Sequence, residues 1–306
     1  MQINMKQKNR TISNKFRISR LDLSGWMLLA PFLVLVVYLY IMPTFRGVLW
    51  SFFEMRGYNV GEFAGLENYR VVLQDTSFLT TLKNTLLYVF WSFVIGYLPP
   101  VIFAVMLNEI GTGNGFFKFT VYFPKMAPAI AVSMLWYYIY YPAESGLLNM
   151  VLNYFGAEPS KWLQNSNQTI ALIQVSETWR CMGSVTLLYL SAIQGINRDL
   201  YEAALLDGAG FMRRIRHITL PHILPIMLIN GVRQMIEVFQ IMEQPLAMTD
   251  GGPNGASLSL GLSAYRYAFQ FFKVGNALAL NIIQFLMLIA LTMVYFKVKE
   301  KVENDA

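Results

Sequence analysis

The chain has 306 residues, of which 55% are hydrophobic and only 14% are charged, with a net charge of +6. Soluble globular domains carry about 25% charged residues, so this composition excludes an ordinary soluble domain and a disordered chain alike. The single cysteine excludes a disulfide scaffold and a zinc or iron–sulfur site built on cysteines.

Six apolar segments are each long enough for a membrane-spanning helix, which needs about 20 residues. No small-residue cleavage site follows the first, so we expect a retained helix rather than a signal peptide. Prolines inside these segments do not exclude them, because neighbouring helices in a membrane can satisfy the freed carbonyls. The predicted spans are residues 25–45, 84–108, 120–141, 169–193, 223–242 and 274–296.

The distribution of Lys and Arg predicts the orientation of the chain. Fourteen of them fall on the side of the two termini and the loop after span four, and seven on the other side. Since basic loops stay in the cytoplasm, both termini are predicted to be cytoplasmic. The predicted fold is therefore an all-α membrane protein with six transmembrane helices. It has a basic cytoplasmic tail (1–23), a six-span domain (24–297) and a cytoplasmic C-terminal tail (298–306).

The loop between spans four and five, residues 198–221, is predicted to form two short helices on the cytoplasmic face. Asn197 or Asp199 can cap the first helix. Gly208 and Gly210 then permit a sharp bend. A second helix is expected to follow and to end at Pro221, before span five begins.

The loop contains Glu202-Ala203-Ala204, then Gly208, and then Ile218-Thr219-Leu220-Pro221. Phe63-Ala64-Gly65-Leu66-Glu67-Asn68-Tyr69 precedes span two, and Thr249-Asp250-Gly251-Gly252-Pro253 follows span five. The residues of the loop, at this spacing, resemble the EAA loop of ABC-importer permeases, and the other two stretches resemble the sugar-importing, maltose-type branch of that family. The resemblance covers residues 63–296.

The resemblance implies a type I importer permease fold of the MetI-like kind, in which this loop docks into a groove on a separate ATPase. The alternative interpretation is a loop that only turns the chain around. By resemblance, the ATPase-coupling residues are Glu202, Ala203, Ala204, Asp207, Gly208, Leu220 and Pro221.

The implied partners are a second homologous permease, two ABC ATPase subunits, an extracellular solute-binding protein and a carbohydrate substrate. The chain has no G-x-x-x-x-G-K-[ST] phosphate loop, so ATP and Mg²⁺ are expected on the partner subunits. For this chain itself we expect no catalysis, no cofactor and no metal. The expected location is the bacterial cytoplasmic membrane, which the chain crosses several times.

Spans four and five carry charged residues, each of which costs about 2.5–3.5 kcal/mol in a bilayer if unpaired. Glu177 and Arg180 are three residues apart, and Arg233 and Glu237 are four apart, so each pair shares a helical face. By resemblance these spans line the substrate path, and Trp179 nearby offers a stacking face for a sugar ring. The alternative is that both pairs are structural. The predicted path residues are Glu177, Arg180, Cys181, Ser184, Arg233, Gln234, Glu237, Val238 and Ile241.

Two other functions use the same charged residues. A proton-coupled secondary transporter would not need the EAA loop, and its usual inverted repeat is not evident. An intramembrane enzyme would need a Ser or Cys beside a His, and no span contains one. Lys125 is expected to extend its amine to the cytoplasmic interface instead of joining these charges.

Overall fold

The structure is a computed structural model and describes residues 20–57, 59–110 and 114–304. The described residues divide into two units, 20–49 and 50–304. The first unit is helical: α1 (Arg20–Val36) passes through a π-helical turn (Val37–Ile41) into α2 (Met42–Trp50). Most of the predicted N-terminal tail, residues 1–19, lies outside the described residues.

The second unit begins with a hairpin of β1 (Phe53–Arg56) and β2 (Asn59–Phe63), followed by helices. The prediction of an all-α fold was therefore wrong in this detail, because the two strands pair antiparallel at the start of the unit. The helices are α3 (Glu67–Gln74), α4 (Phe78–Gly96), α5 (Pro99–Glu109), α6 (Asn114–Met126), α7 (Ala129–Ile139), α8 (Leu147–Tyr154), α9 (Thr169–Gln194), α10 (Arg198–Leu206), α11 (Phe211–Arg214), α12 (Leu220–Phe239), α13 (Glu243–Thr249), α14 (Leu260–Tyr265) and α15 (Val274–Asn304). Short 3₁₀ (Trp162–Gln164) and π (Ile215–Thr219, Arg266–Gln270) segments connect some of them.

Helix α9 is the centre of this unit, since α4, α5, α6, α7, α12 and α13 all pack against it. Tyr189 and Ile173 of α9 are fully buried, as are Tyr88 of α4 and Ile223 of α12. The approach of α6 is close enough to require glycine, because a Cβ on Gly183 would lie 2.1 Å from the carbonyl oxygen of Val121. The bundle therefore fixes the relative position of α9 and α12, the two helices that carry the charge pairs of predicted spans four and five.

Three described helical segments are long and apolar enough to cross a membrane by length and composition: Gly25–Trp50, Phe78–Glu109 and Val274–Lys297. They coincide with predicted spans one, two and six, and the second starts earlier than predicted, at Phe78. Predicted span four coincides with α9, which is not among these three segments. Helix α15 continues beyond the end of predicted span six to Asn304, within the predicted C-terminal tail.

Two of the predicted spans are interrupted, and a third ends early. Span two is broken at residues 97–98, between α4 and α5. Span three is broken between α6 and α7, where Pro128 disfavours the helical conformation of the residue before it. Span five ends at Phe239, three residues before its predicted end, and residues 240–242 are non-helical before α13 begins. These three residues line the cavity described below.

Candidate functional site: a charged cavity and a cytoplasmic loop

A cavity of about 400 Å³ lies between α9, α12 and the segment that joins α12 to α13. It is lined by three cations and three carboxylates, with amides and hydroxyls between them. All nine residues predicted for the substrate path line this one cavity: Glu177, Arg180, Cys181, Ser184, Arg233, Gln234, Glu237, Val238 and Ile241. The structure thus brings together two groups of residues that are about 50 positions apart in the sequence.

Glu177 is the most heavily bonded group of the cavity. Arg180 donates to it twice, from Nε to Oε2 at 2.9 Å and from Nη2 to Oε1 at 2.5 Å. Cys181 Sγ donates to Oε1 at 3.0 Å, and Gln244 Nε2 donates to Oε2 at 2.7 Å. The side chains of Glu177 and Arg180 are each only 15% exposed. The pair is therefore a satisfied, largely buried ion pair that also ties α9 to α13.

The pair on α12 is different because it is open to solvent. Arg233 Nε donates to Glu237 Oε1 at 2.8 Å, but these side chains are 64% and 58% exposed. The neighbouring Gln234 donates from Nε2 to the carbonyl oxygen of Ser92 at 2.7 Å, which holds α12 against α4. Arg233 and Glu237 thus present most of their polar atoms to the cavity side of the chain.

Several lining residues were missed by sequence reasoning. Lys125 was expected to extend its amine to the cytoplasmic interface. Its Nζ instead lies 3.4 Å from Cys181 Sγ, at the cavity wall. Gln174 and Thr178 also line the cavity, and Gln174 could have been found, since it lies one helical turn before Glu177. Glu243 lies just after the non-helical residues 240–242, and the periodicity of the sequence does not reveal that the helix ends there.

Two polar atoms at this wall are unsatisfied. Oε1 of Gln174 and Oγ1 of Thr178 are buried and have no hydrogen-bond partner within the described part of the chain. Buried polar groups are normally paired, so these two atoms are available to a bound molecule or water. Trp179 does not line the cavity; its ring packs edge-on against Trp136 at 5.8 Å between centroids. The expectation that it stacks on a ligand in this cavity is not supported by that placement.

The predicted coupling loop is a compact helical segment directly after α9. Asn197 caps α10 by accepting a hydrogen bond from the backbone N–H of Asp199 at 3.1 Å. Gly208 ends the helix in the left-handed region, with φ of +72°. Ala209 N–H then donates to the carbonyl of Ala204, and Gly208 N–H donates to that of Leu205. This pattern is a Schellman motif, which explains the need for glycine.

The second part of the loop differs from the prediction. Pro221 does not end a helix, since α11, the π turn and α12 follow one another without a break from Phe211 to Phe239. Proline lacks the N–H for an α-helical bond, and the wider π turn just before it accommodates the missing donor. Tyr201 and Thr219 share a hydrogen bond of 2.9 Å that joins the two halves of the loop.

Most of the predicted coupling residues are exposed on this loop. Glu202, Ala203, Asp207, Gly208, Leu220 and Pro221 are exposed, and Ala204 is half-buried. Apolar side chains beside the bend are exposed as well, with Leu206 at 90% and Met212 at 70%. The loop therefore offers a mixed small-residue and apolar surface, at the junction of the two helices that line the cavity.

Comparisons with known proteins show similarity to transport-system permeases over most of the chain. Residues 96–301 match the family described as the binding-protein-dependent transport system inner membrane component. The trehalose/maltose transport system permease protein MalF of Thermococcus litoralis is 31% identical over 292 residues, covering 95% of this chain and 97% of that protein. The arabinooligosaccharides transport system permease protein AraP of Bacillus subtilis is 26% identical, covering 92% and 90%.

A further relative and a solved structure are also similar to this chain. The sn-glycerol-3-phosphate transport system permease protein UgpA of Escherichia coli is 29% identical over 281 residues, covering 90% of this chain and 93% of that protein. In the crystal structure of a bacterial ABC transporter that imports the acidic polysaccharide alginate, one chain superposes with a TM-score of 0.79 at 22% identity. That match covers 93% of this chain and 97% of the other.

Proposed function

Because the chain belongs to the family of binding-protein-dependent transport system inner membrane components, we propose that it is one permease half of an ATP-driven importer of a carbohydrate. In this proposal it crosses the bacterial cytoplasmic membrane several times, with both termini in the cytoplasm. A second, homologous permease supplies the other half of the path. A binding protein delivers the substrate from outside, and two ATPase subunits bind and hydrolyse ATP.

The observation that carries this proposal is the cavity between α9 and α12. Its lining combines Lys125, Arg180 and Arg233 with Glu177, Glu237 and Glu243, so the formal charges cancel. Sugar hydroxyls both donate and accept hydrogen bonds, which suits carboxylates, guanidinium groups and amides side by side. The unsatisfied atoms of Gln174 and Thr178 add further partners for such hydroxyls.

The relatives support a sugar or a sugar derivative as the substrate class. MalF and AraP are named for trehalose/maltose and for arabinooligosaccharides, and UgpA for sn-glycerol 3-phosphate. The balanced charge of the cavity favours a neutral saccharide over a phosphate, because two of its three cations are already paired with carboxylates and the third, Lys125, contacts Cys181 Sγ. Arg180 is held by Glu177, and Arg233 by Glu237.

In the proposed mechanism, the coupling loop transmits movement from the ATPase to the cavity. The loop joins the C-terminal end of α9 to α12, the two helices that line it. Closure of the ATPases on ATP would displace the loop and, with it, the facing walls of the cavity. Chemistry on ATP stays with the partner subunits, and this chain moves the substrate without transforming it.

The test is substrate-stimulated ATP hydrolysis by the reconstituted complex of this chain, its partner permease, the ATPase and the binding protein. Neutral oligosaccharides, sugar acids and sn-glycerol 3-phosphate are compared as substrates. We expect stimulation by a neutral saccharide. Stimulation by glycerol phosphate or by a sugar acid alone would contradict the assigned substrate class.

The coupling loop is tested in the same assay with Ala203→Arg. Ala203 is exposed in the middle of α10, so an arginine there retains the helix and obstructs only a docking partner. The matched control is Ala157→Arg, at an exposed position before α9. We expect at least a tenfold loss of stimulated hydrolysis for Ala203→Arg and none for the control. Equal activity of the two variants would refute docking at this loop.

A further inference from the structure

The short helix α8, which precedes α9, has one face made entirely of apolar side chains. Leu147, Met150, Val151, Tyr154 and the following Phe155 recur at helical spacing and define the α8 stripe. All five are exposed, Met150 at 60%, Tyr154 at 85% and Phe155 at 78%. An apolar stripe of this kind on a water-facing loop would be unfavourable, so it requires a covering partner.

The opposite face of α8 is fixed to the rest of the unit by a fully buried asparagine. Asn149 Nδ2 donates to the carbonyl oxygens of Ala143 and Ser160 at 3.0 and 3.1 Å. Its Oδ1 accepts from Ser160 N–H at 2.9 Å and from Trp162 Nε1 at 2.6 Å. The direction in which the α8 stripe points is therefore set by the fold and not by a freely moving loop.

The surroundings of the α8 stripe identify a lipid surface as the partner. Helix α7 lies in predicted span three, and its exposed side chains include Met134, Leu135 and Tyr138, so its outer face suits lipid. Tyrosines such as Tyr138 and Tyr141 are typical of the boundary between hydrocarbon and water. Helix α8 starts within eight residues of the end of α7, so it lies close to this boundary.

The charge of the segment indicates whether α8 contacts lipid headgroups or acyl chains. No Asp, Glu, Lys or Arg occurs from Ser145 to Ala157, and Glu144 and Glu158 flank the segment. A helix without cations has no electrostatic attraction to anionic headgroups. Its contact with the membrane must come from burying the apolar side chains among the upper parts of the acyl chains.

We propose that α8 is an interfacial helix whose stripe inserts into the membrane leaflet at the end of the bundle opposite the coupling loop. Helix α9, of 26 residues and about 39 Å, separates the two. Through Asn149, Trp162 and the adjoining turn, α8 holds the N-terminal end of α9 at the membrane surface. This anchoring does not depend on which substrate is carried or on how ATP is coupled.

The test is the depth of nitroxide labels in phosphatidylcholine nanodiscs, placed singly in a Cys181→Ser background, which removes the only native cysteine. Labels at Tyr154 and Phe155 probe the stripe. Asn153, exposed on the other face of the same helix, and Glu158, beyond it, are the matched controls. We expect the ratio of accessibility to oxygen over accessibility to a nickel chelate to be at least threefold higher at the stripe than at the controls.

Equal ratios at stripe and control positions would show that the stripe faces water and would overturn the proposal. A second outcome would also overturn it. If the nickel chelate reached the stripe until the binding protein was added, the covering partner would be a protein and not lipid. A second measurement uses the unsubstituted chain in phosphatidylcholine that carries a diazirine on its acyl chain, and it identifies the residues that cross-link to lipid on illumination. We expect cross-links within residues 147–155, and their absence alongside labelling of α7 would also refute lipid contact.

Discussion

Glu177 and Glu237 are both paired with an arginine on their own helix. Because their surroundings differ, the two ion pairs contribute differently to the stability of the fold. Glu177 accepts four hydrogen bonds, from Arg180, Cys181 and Gln244, in a largely buried position. Glu237 accepts one from Arg233 in an exposed position. Removing one member of a buried pair leaves an uncompensated charge, whereas exposed pairs contribute little to stability.

We therefore expect Glu177→Gln to lower the free energy of unfolding by about 3 kcal/mol, because Arg180 would lose its charged partner. Glu237→Gln, the same change on α12, should cost less than about 1 kcal/mol. The measurement is the melting temperature of each purified variant in detergent. Equal melting temperatures for the two variants would mean that the Glu177 network does not stabilise the bundle.

Outside the predicted spans, Asp75 links the start of α4 to the π-helical segment Arg266–Gln270, through a hydrogen bond with Tyr267. Burial alone would raise the pKa of this carboxyl group, but hydrogen bonds from Tyr267 and from the backbone and side chain of Ser77 outweigh it, aided by the charge of Lys273. The pKa of Asp75 is therefore lowered from its ordinary value of 3.8. A lowered pKa stabilises the folded state above the unfolded pKa, and this contribution is lost as the pH falls through the folded pKa.

From this sign we predict that Asp75→Asn destabilises the chain at pH 7 but has a smaller effect at acid pH. The difference in melting temperature between wild type and variant should shrink as the pH falls below about 4, the unfolded pKa of an aspartate. Melting curves recorded between pH 3 and pH 7 measure it. A difference that stays constant over this range would rule out a lowered pKa at Asp75.

At the scale of elements, the packing of α6 on α9 depends on the absence of a side chain at Gly183. A Cβ there would lie 2.1 Å from the Val121 carbonyl oxygen and 2.8 Å from the Cα of Tyr122, both backbone atoms. These atoms cannot yield as a flexible side chain would, so the helices would have to separate. That separation would also move Lys125, which α6 carries to the cavity wall.

We predict that Gly183→Ala destabilises the chain by about 2 kcal/mol through overpacking. Gly115→Ala on α6 is the matched control, because nothing lies within 4 Å of its added Cβ. In an exposed helical position alanine is favoured over glycine, so the control should be neutral or slightly stabilising. Thermal melts of both variants distinguish them, and a stable Gly183→Ala variant would show that α6 and α9 are not in close contact.

The helical segments themselves were largely predictable, because apolar runs of sufficient length are a local property of the sequence. Span four corresponds to α9, whereas spans two and three are interrupted at residues 97–98 and 127–128, and the helix of span five ends at Phe239. Prolines give a local signal for the first two breaks, but residues 240–242 contain neither proline nor glycine. That break is stabilised by tertiary contacts, among them a 2.5 Å hydrogen bond from Ser259 Oγ to the Ile241 carbonyl oxygen.

At the scale of the whole molecule, Arg233 and Glu237 leave more than half of their side-chain surface open. Charges in a span cannot face lipid without a high cost, so this side of α12 must meet water or a second subunit. In the proposed importer it faces the substrate. We therefore propose different uses for the two pairs: Glu177 and Arg180 stabilise the bundle, and Arg233 and Glu237 are available for binding.

On this basis Glu237→Gln should lower the rate of substrate uptake about tenfold, the effect of losing about 1.4 kcal/mol from one charged hydrogen bond. Uptake of labelled saccharide into proteoliposomes that contain the complete complex measures it. The melting temperature should stay close to that of the wild type, because the exposed pair contributes less than about 1 kcal/mol. Unchanged uptake would place Glu237 outside the substrate path.

The apolar segments, the spacing of the loop motif and the two charge pairs follow from the amino-acid sequence alone, because residues three or four apart share a helical face wherever the helix lies. The contacts of Gln244 with Glu177 and of Lys125 with Cys181 follow only from packing, since these residues lie on separate elements. The position of Pro221 within a continuous helix is likewise visible only in the fold. Local periodicity specifies a face of a helix, whereas the partner of that face depends on contacts between segments distant in the chain.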